Sequence, residues 1–131
     1  MRGHINGKDG IYAASLLVEM IAVTGKRLSD LAEEIRLKYG TTYMEECSYK
    51  FSEERKEELK RILFQDKFLP DFHLPIEKVS YLDGCKVYFK NGGWIIARFS
   101  GTEPLLRIFC EMKNQEEAVK YCLKFEEFLK I

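Results

Sequence analysis

Between Gly10 and Thr24 apolar residues fall on nearly every side of a helical projection: Ile11, Leu16, Leu17, Val18, Met20, Ile21 and Val23. The pattern predicts a helix capped by Asp9 and closed by Gly25, one that expects neighbours on more than one face. A second helix is predicted from Ser29, as cap, to Tyr39. Leu28, Leu31, Ala32 and Ile35 share one side of it, and Gly40 is its stop. From Thr41 to Phe51 the helical period disappears and the β-formers Thr42, Tyr43 and Tyr49 enter. That segment reads as a linker or a short strand, and the domain boundary belongs there. Ser52 then caps a highly charged helix running to about Phe64, in which Leu59, Ile62 and Leu63 form a narrow apolar stripe suited to a surface position.

Beyond Pro70 and Pro75 the period changes to two. Four β-rich runs follow, Val79 to Leu82, Lys86 to Phe89, Trp94 to Phe99 and Leu105 to Met112. Asp83-Gly84, Asn91-Gly92-Gly93 and the segment Ser100 to Pro104 punctuate them, which predicts an antiparallel meander. The chain closes with a helix capped by Asn114, in which Ala118, Cys122, Phe125 and Leu129 make a stripe that would cover one face of the sheet. The expected fold class is α+β. Residues 52–131 form a two-layer domain with a four-stranded antiparallel sheet packed by helices, residues 41–51 a linker, and residues 1–40 a two-helix remnant of a preceding domain.

Composition narrows the function classes. The 131 residues are 46% hydrophobic and 13% aromatic, enough for a core. Twenty-one basic side chains balance 21 acidic ones, so no surplus field steers the protein toward nucleic acid or an anionic membrane. Any anion must be held locally. Cys47, Cys85, Cys110 and Cys122 show no CxxC spacing and His4 and His73 lie far apart, so no metal site is expected. Cysteines within apolar patterns suit a reduced, cytoplasmic protein. The apolar run within Ile11 to Val23 is interrupted by Ser15 and Glu19 and is too short to span a bilayer.

The densest chemistry lies in Arg98-Phe99-Ser100-Gly101-Thr102-Glu103-Pro104-Leu105-Leu106-Arg107. An anion with three or four oxygens needs convergent donors. Arg98, the hydroxyls of Ser100 and Thr102, and the loop amides can supply them. Gly101 leaves room for close backbone approach, Pro104 restricts the loop, and Arg107 returns a second planar cation on the next strand. The set suits a phosphate monoester. The plainer alternative is an ordinary hairpin turn whose arginines pair with Glu103 and Glu111 on the surface.

The run RFSGTEPLLRIFCE, Arg98 to Glu111, resembles the C-terminal phosphate-binding motif of the α-D-phosphohexomutases, the phosphoglucomutase/phosphomannomutase family. Separately, GHINGKDGIYAASLLVEM, residues 3 to 20, resembles the end of the third domain in that family, just after its sugar-selecting loop. The resemblance implies a C-terminal substrate-phosphate-binding domain of an intramolecular phosphotransferase that interconverts hexose 1- and 6-phosphates. Carried over, Arg98, Ser100, Gly101 and Thr102 would contact the substrate phosphate and Arg107 would support the loop or the anion. Glu103 would face away, and His4 and Lys8 would approach the substrate in the whole enzyme.

The family's phosphoserine segment, aspartate-rich metal loop and glutamate-serine sugar loop are absent from this sequence. The expectation is therefore a fragment without catalytic residues, inactive alone, that binds no cofactor. Mg2+ belongs to the full-length enzyme, and the partners are a hexose phosphate and the parent's remaining domains. Other readings are a phosphoglucosamine mutase fragment, or a non-enzymatic module for phospholigands or nucleic acid presenting Tyr81, Tyr88, Phe89 and Trp94 from its sheet.

Overall fold

A computed structural model describes residues 5, 7–101 and 103–131. The chain divides into two compact units, Met1–Thr41 and Thr42–Ile131. In the first, α1 (Gly10–Thr24) starts where Asp9 Oδ1 accepts the amide hydrogen of Tyr12 at 2.9 Å. It stops at Gly25, whose φ of 67° is left-handed. The second helix, α2 (Leu28–Tyr39), is capped at Arg27 rather than at Ser29. The carboxylate of Asp30 decides this, since it accepts the Arg27 amide hydrogen at 3.3 Å and pairs with the Arg27 guanidinium at 2.8 Å. No residue of α1 or α2 is buried, and Ile11, Val18, Val23, Ile35 and Leu37 stand exposed.

The second unit runs β1 (Tyr43–Lys50), α3 (Glu53–Lys60), β2 (Ile76–Ser80), β3 (Cys85–Phe89), β4 (Trp94–Phe99), β5 (Leu105–Met112) and α4 (Gln115–Leu129). Its sheet has five antiparallel strands in the order β1-β5-β4-β3-β2, not the four that the sequence pattern predicts. The additional strand is β1, within the segment assigned to a linker. It pairs with β5 along its whole length, from Tyr43 opposite Met112 to Lys50 opposite Leu105. The reason is long-range. The outer edge of β5 presents main-chain donors and acceptors that need partners, while Glu45, Cys47 and Tyr49 give β1 too little apolar contrast to announce a strand locally.

Alternation along the strands separates two faces. Cys85, Val87, Phe89, Ile95, Ala97, Leu106, Ile108, Cys110 and Met112 point into one core with Leu59 and Leu63. Ala118, Tyr121, Cys122, Phe125 and Leu129 close it from α4. Both helices thus cover the same face. The narrow stripe of α3 is carried onward by a π-helical turn, Arg61–Gln65, which buries Leu63 and half-buries Phe64. Two contacts hold α4 at its ends: Asn114 Oδ1 accepts from the Glu117 amide at 2.8 Å, and Arg55 donates to the Leu129 carbonyl at 2.5 Å, a cation at the helix C-terminus. On the opposite face Ser48, Lys86, Tyr88, Trp94, Ile96, Arg98, Arg107 and Phe109 remain half-buried or exposed. That open face carries the candidate site.

Candidate functional site

The connection between β4 and β5 stands on a tied backbone and an aromatic floor. Ser100 donates its amide hydrogen to the Leu105 carbonyl at 2.8 Å, and Leu105 donates to Glu103 at 2.8 Å. Where β1 ends, the Phe51 amide donates to the Pro104 carbonyl at 3.2 Å, so the edge strand ties down the far side of the loop. Directly before the loop, Phe99 turns inward and meets Phe51 edge-on at 6.1 Å and Phe64 at 6.0 Å between ring centroids. Phe64 in turn meets Tyr81 at 6.1 Å. These rings resist collapse of the loop onto the core.

Arg98 and Arg107 are direct register partners across β4 and β5, so both guanidinium groups leave the same face at the base of the loop. Like charges directly opposite are unfavourable without an anion between them. The alternative in which these arginines pair with Glu103 and Glu111 does not hold. Arg98 Nε instead meets Asp83 Oδ1 at 3.1 Å, and no carboxylate among the described residues forms an ion pair with Arg107. The Arg98 side chain is 58% exposed, leaving its outer end accessible. It also borders an open cleft of about 380 Å3 whose charged lining is mixed, with the Glu57–Lys60 ion pair and Asp83 beside Phe64 and Phe99.

The turn before β3 reaches Arg98 because of Gly84. Its φ is 89°, and a Cβ placed there would lie 2.6 Å from the Ala97 carbonyl oxygen and 3.2 Å from both Cα and Cβ of Arg98. Glycine lets the Asp83-Gly84 turn lie against the end of β4.

Of the other residues singled out from sequence, Ser100 is half-buried at the loop entrance and Gly101 is exposed. A Cβ at Gly101 would meet nothing within 4 Å, and its φ is not left-handed, so the chain itself does not require glycine there. Lys8 is exposed in the first unit. Thr102 and His4 lie outside the described residues. Two residues near the site are not marked by the sequence pattern. Asp83 is legible there only as a turn former; its nearness to Arg98 follows from the pairing of Cys85 with Ala97. Lys50 falls in the expected linker, yet it shares the face of Ser48, the register partner of Arg107.

The aromatics considered for base stacking separate. Phe89 is buried against Phe72 at 5.1 Å, and Tyr81 packs on Phe64. Tyr88 and Trp94 lie on the open face, with Lys86 Nζ 3.7 Å from the Trp94 ring centroid. Among the described residues no group of three or more His, Cys, Asp or Glu side chains can hold a metal ion. No helix among the described residues is long and apolar enough to cross a membrane.

A family model described as phosphoglucomutase/phosphomannomutase, C-terminal domain, matches residues 42–127. A second, phosphoglucomutase/phosphomannomutase, alpha/beta/alpha domain III, matches residues 1–39. The chain belongs to the phosphoglucomutase/phosphomannomutase family. The C-terminal-domain match falls on the unit that contains the loop, and the domain III match on the unit that contains α1 and α2. Among curated relatives, a phosphoglucomutase/phosphomannomutase of Thermococcus kodakarensis is 35% identical over 115 residues, 88% of this chain and 23% of that protein. A phosphoglucosamine mutase of Listeria monocytogenes is 29% identical over 119 residues, 91% of this chain and 22% of that protein. The chain thus spans less than a quarter of the length of either relative.

Proposed function

We propose that residues 42–131 are the clamp for the non-transferred phosphate of a hexose phosphate in an intramolecular phosphotransferase that interconverts hexose 1- and 6-phosphates. The observation that carries this reading is the register pairing of Arg98 with Arg107 beside a tied loop. Two facing cations are a liability that a bound dianion turns into an attraction. Arg98, Ser100, Gly101 and the loop amides contact the phosphate, with Thr102 completing the hydroxyl set and Arg107 supporting the anion from the neighbouring strand. Gly101 is consistent with the reading, because a Cβ there would meet nothing within 4 Å and the open space leaves the backbone approachable.

The clamp supplies position. Phosphoryl transfer depends on holding the reacting groups in line, so a grip on the far phosphate contributes to rate as well as affinity. In the whole enzyme the remaining domains supply the phosphoserine and the Mg2+, and His4 and Lys8 approach the substrate. The 131-residue chain alone carries no mutase activity in this reading. Sugar choice among glucose, mannose and glucosamine lies in the other domains, since the clamp reads only phosphate.

Titration of the chain with glucose 6-phosphate, followed by amide NMR, tests the proposal. The expected response clusters from Arg98 to Thr102 with a Kd on the order of millimolar, because charge-assisted hydrogen bonds open to water lose much of their worth. Arg98→Ala should abolish it. Shifts confined to Tyr88 and Trp94 on adding an oligonucleotide, with none from the sugar phosphate, would refute the clamp and favour a nucleic-acid module.

A further inference from the structure

We propose that Asp83 is a positioning residue for Arg98, holding the guanidinium by its Nε edge so that its two terminal amino groups face the phosphate. The inference rests on the clamp reading above and deepens it.

A guanidinium offers five N–H donors in a planar fork. An arginine on an open sheet face has a long, rotatable side chain, and binding must halt its motion. Asp83 Oδ1 forms an ion pair with Arg98, 3.1 Å from Nε, on the inner side of the fork. The terminal Nη groups are left for a second, bidentate partner, and the 58% exposure of the Arg98 side chain is where that partner enters. The carboxylate is 70% exposed, but the turn that carries it is pressed against the strand it serves. Gly84 brings the main chain so close that a Cβ would lie 2.6 Å from the Ala97 carbonyl oxygen, and the pairing of Cys85 with Ala97 continues that contact into the sheet. Arg98 thus leaves β4 itself, and Asp83 leaves the turn two residues before β3 begins. A carboxylate beside a phosphate site is otherwise a liability, since by charge alone it repels the ligand.

That opposition of sign makes the role testable. Removing the carboxylate strengthens the local positive field and, on charge alone, tightens phosphate binding; if Asp83 positions Arg98, removal weakens it. Inorganic phosphate is titrated into the full chain, Asp83→Ala and Asp83→Asn, reading loop amides and the Arg98 Nε–H signal by NMR. Urea unfolding by Trp94 fluorescence serves as the fold control. The expected result is about three- to tenfold weaker binding and faster Nε–H exchange for Asp83→Ala. Asp83→Asn, which keeps a carbonyl oxygen beside Arg98 without the charge, should recover binding to within about twofold of the parent. With folding intact, binding by Asp83→Ala equal to or tighter than the parent overturns the proposal. So does an Asp83→Asn variant no better than Asp83→Ala. If the parent itself shows no loop response, the clamp reading fails. The Nε–H exchange rate without ligand still reports the Asp83 contact, so the two failures are told apart.

Discussion

Three glycines in the second unit differ in what an alanine would meet, and together they separate backbone strain from collision. Gly101 has neither a left-handed φ nor an atom within 4 Å of the position a methyl would take. Gly92 has a φ of 90° and open space; Gly84 has a φ of 89° and a carbonyl oxygen at 2.6 Å. Gly101→Ala should be neutral or stabilising by up to about 1 kcal/mol, through the unfolded chain's lost freedom. Gly92→Ala carries about 1–2 kcal/mol of left-handed strain, partly offset by the same gain, for a net loss of about 1 kcal/mol. Gly84→Ala adds a main-chain overlap that only displacement of the turn from β4 relieves, for a total of about 2–4 kcal/mol. Urea unfolding monitored through Trp94, the chain's single tryptophan, reports the sheet directly. With a slope of about 1 kcal/mol per M, the midpoints should fall by about 1 M for Gly92→Ala and about 2–4 M for Gly84→Ala. Equal midpoints for these two variants would refute the close approach of the Asp83-Gly84 turn to β4.

Further outcomes concern the core. Phe125, fully buried beneath α4 with its ring 5.9 Å from that of Phe72, should cost about 3–5 kcal/mol when replaced by alanine, read by the same unfolding assay; a loss under about 1 kcal/mol would mean α4 does not close the core. Burial pushes the Cys85 thiol up to about 11 from its ordinary 9.0. A raised folded value means stability is complete below pH 9 and is lost as pH rises toward 11, by at most about 2–3 kcal/mol. Cys85→Ala should flatten that part of the pH profile of unfolding, and a profile identical to the parent's would exclude the thiol as its source.

Much of the fold is legible in the sequence because its signals are local. Asp9, Ser52 and Asn114 cap their helices through contacts only three residues long. The turn chemistry of Asn91-Gly92 delimits β3 and β4, with the Gly92 amide donating to the Phe89 carbonyl at 3.0 Å and the Gly93 amide to Asn91 Oδ1 at 2.9 Å. β1 is not legible in the same way. Its inward residues include Glu45, whose carboxylate is satisfied by Gln115 at 2.6 Å on α4, a partner 70 positions away. The start of α2 lies earlier than its serine suggests, because Asp30 serves as acceptor to Arg27 and Ser29 does not take the capping role.

The sequence alone places a run of arginine, serine, glycine, threonine and proline on one hairpin, which is a list of hydrogen-bond donors and a constraint on the loop. It also determined the faces of its strands, because a period of two is a property of the chain alone. Tertiary structure decided what the charges meet. Whether Arg98 would face Glu103, Glu111, Asp83 or Arg107 depends on strand register and on a turn well upstream in the chain, where Gly84 lacks the atom that would keep it away. Electrostatic partners are set by distance through space, and no local pattern encodes that distance.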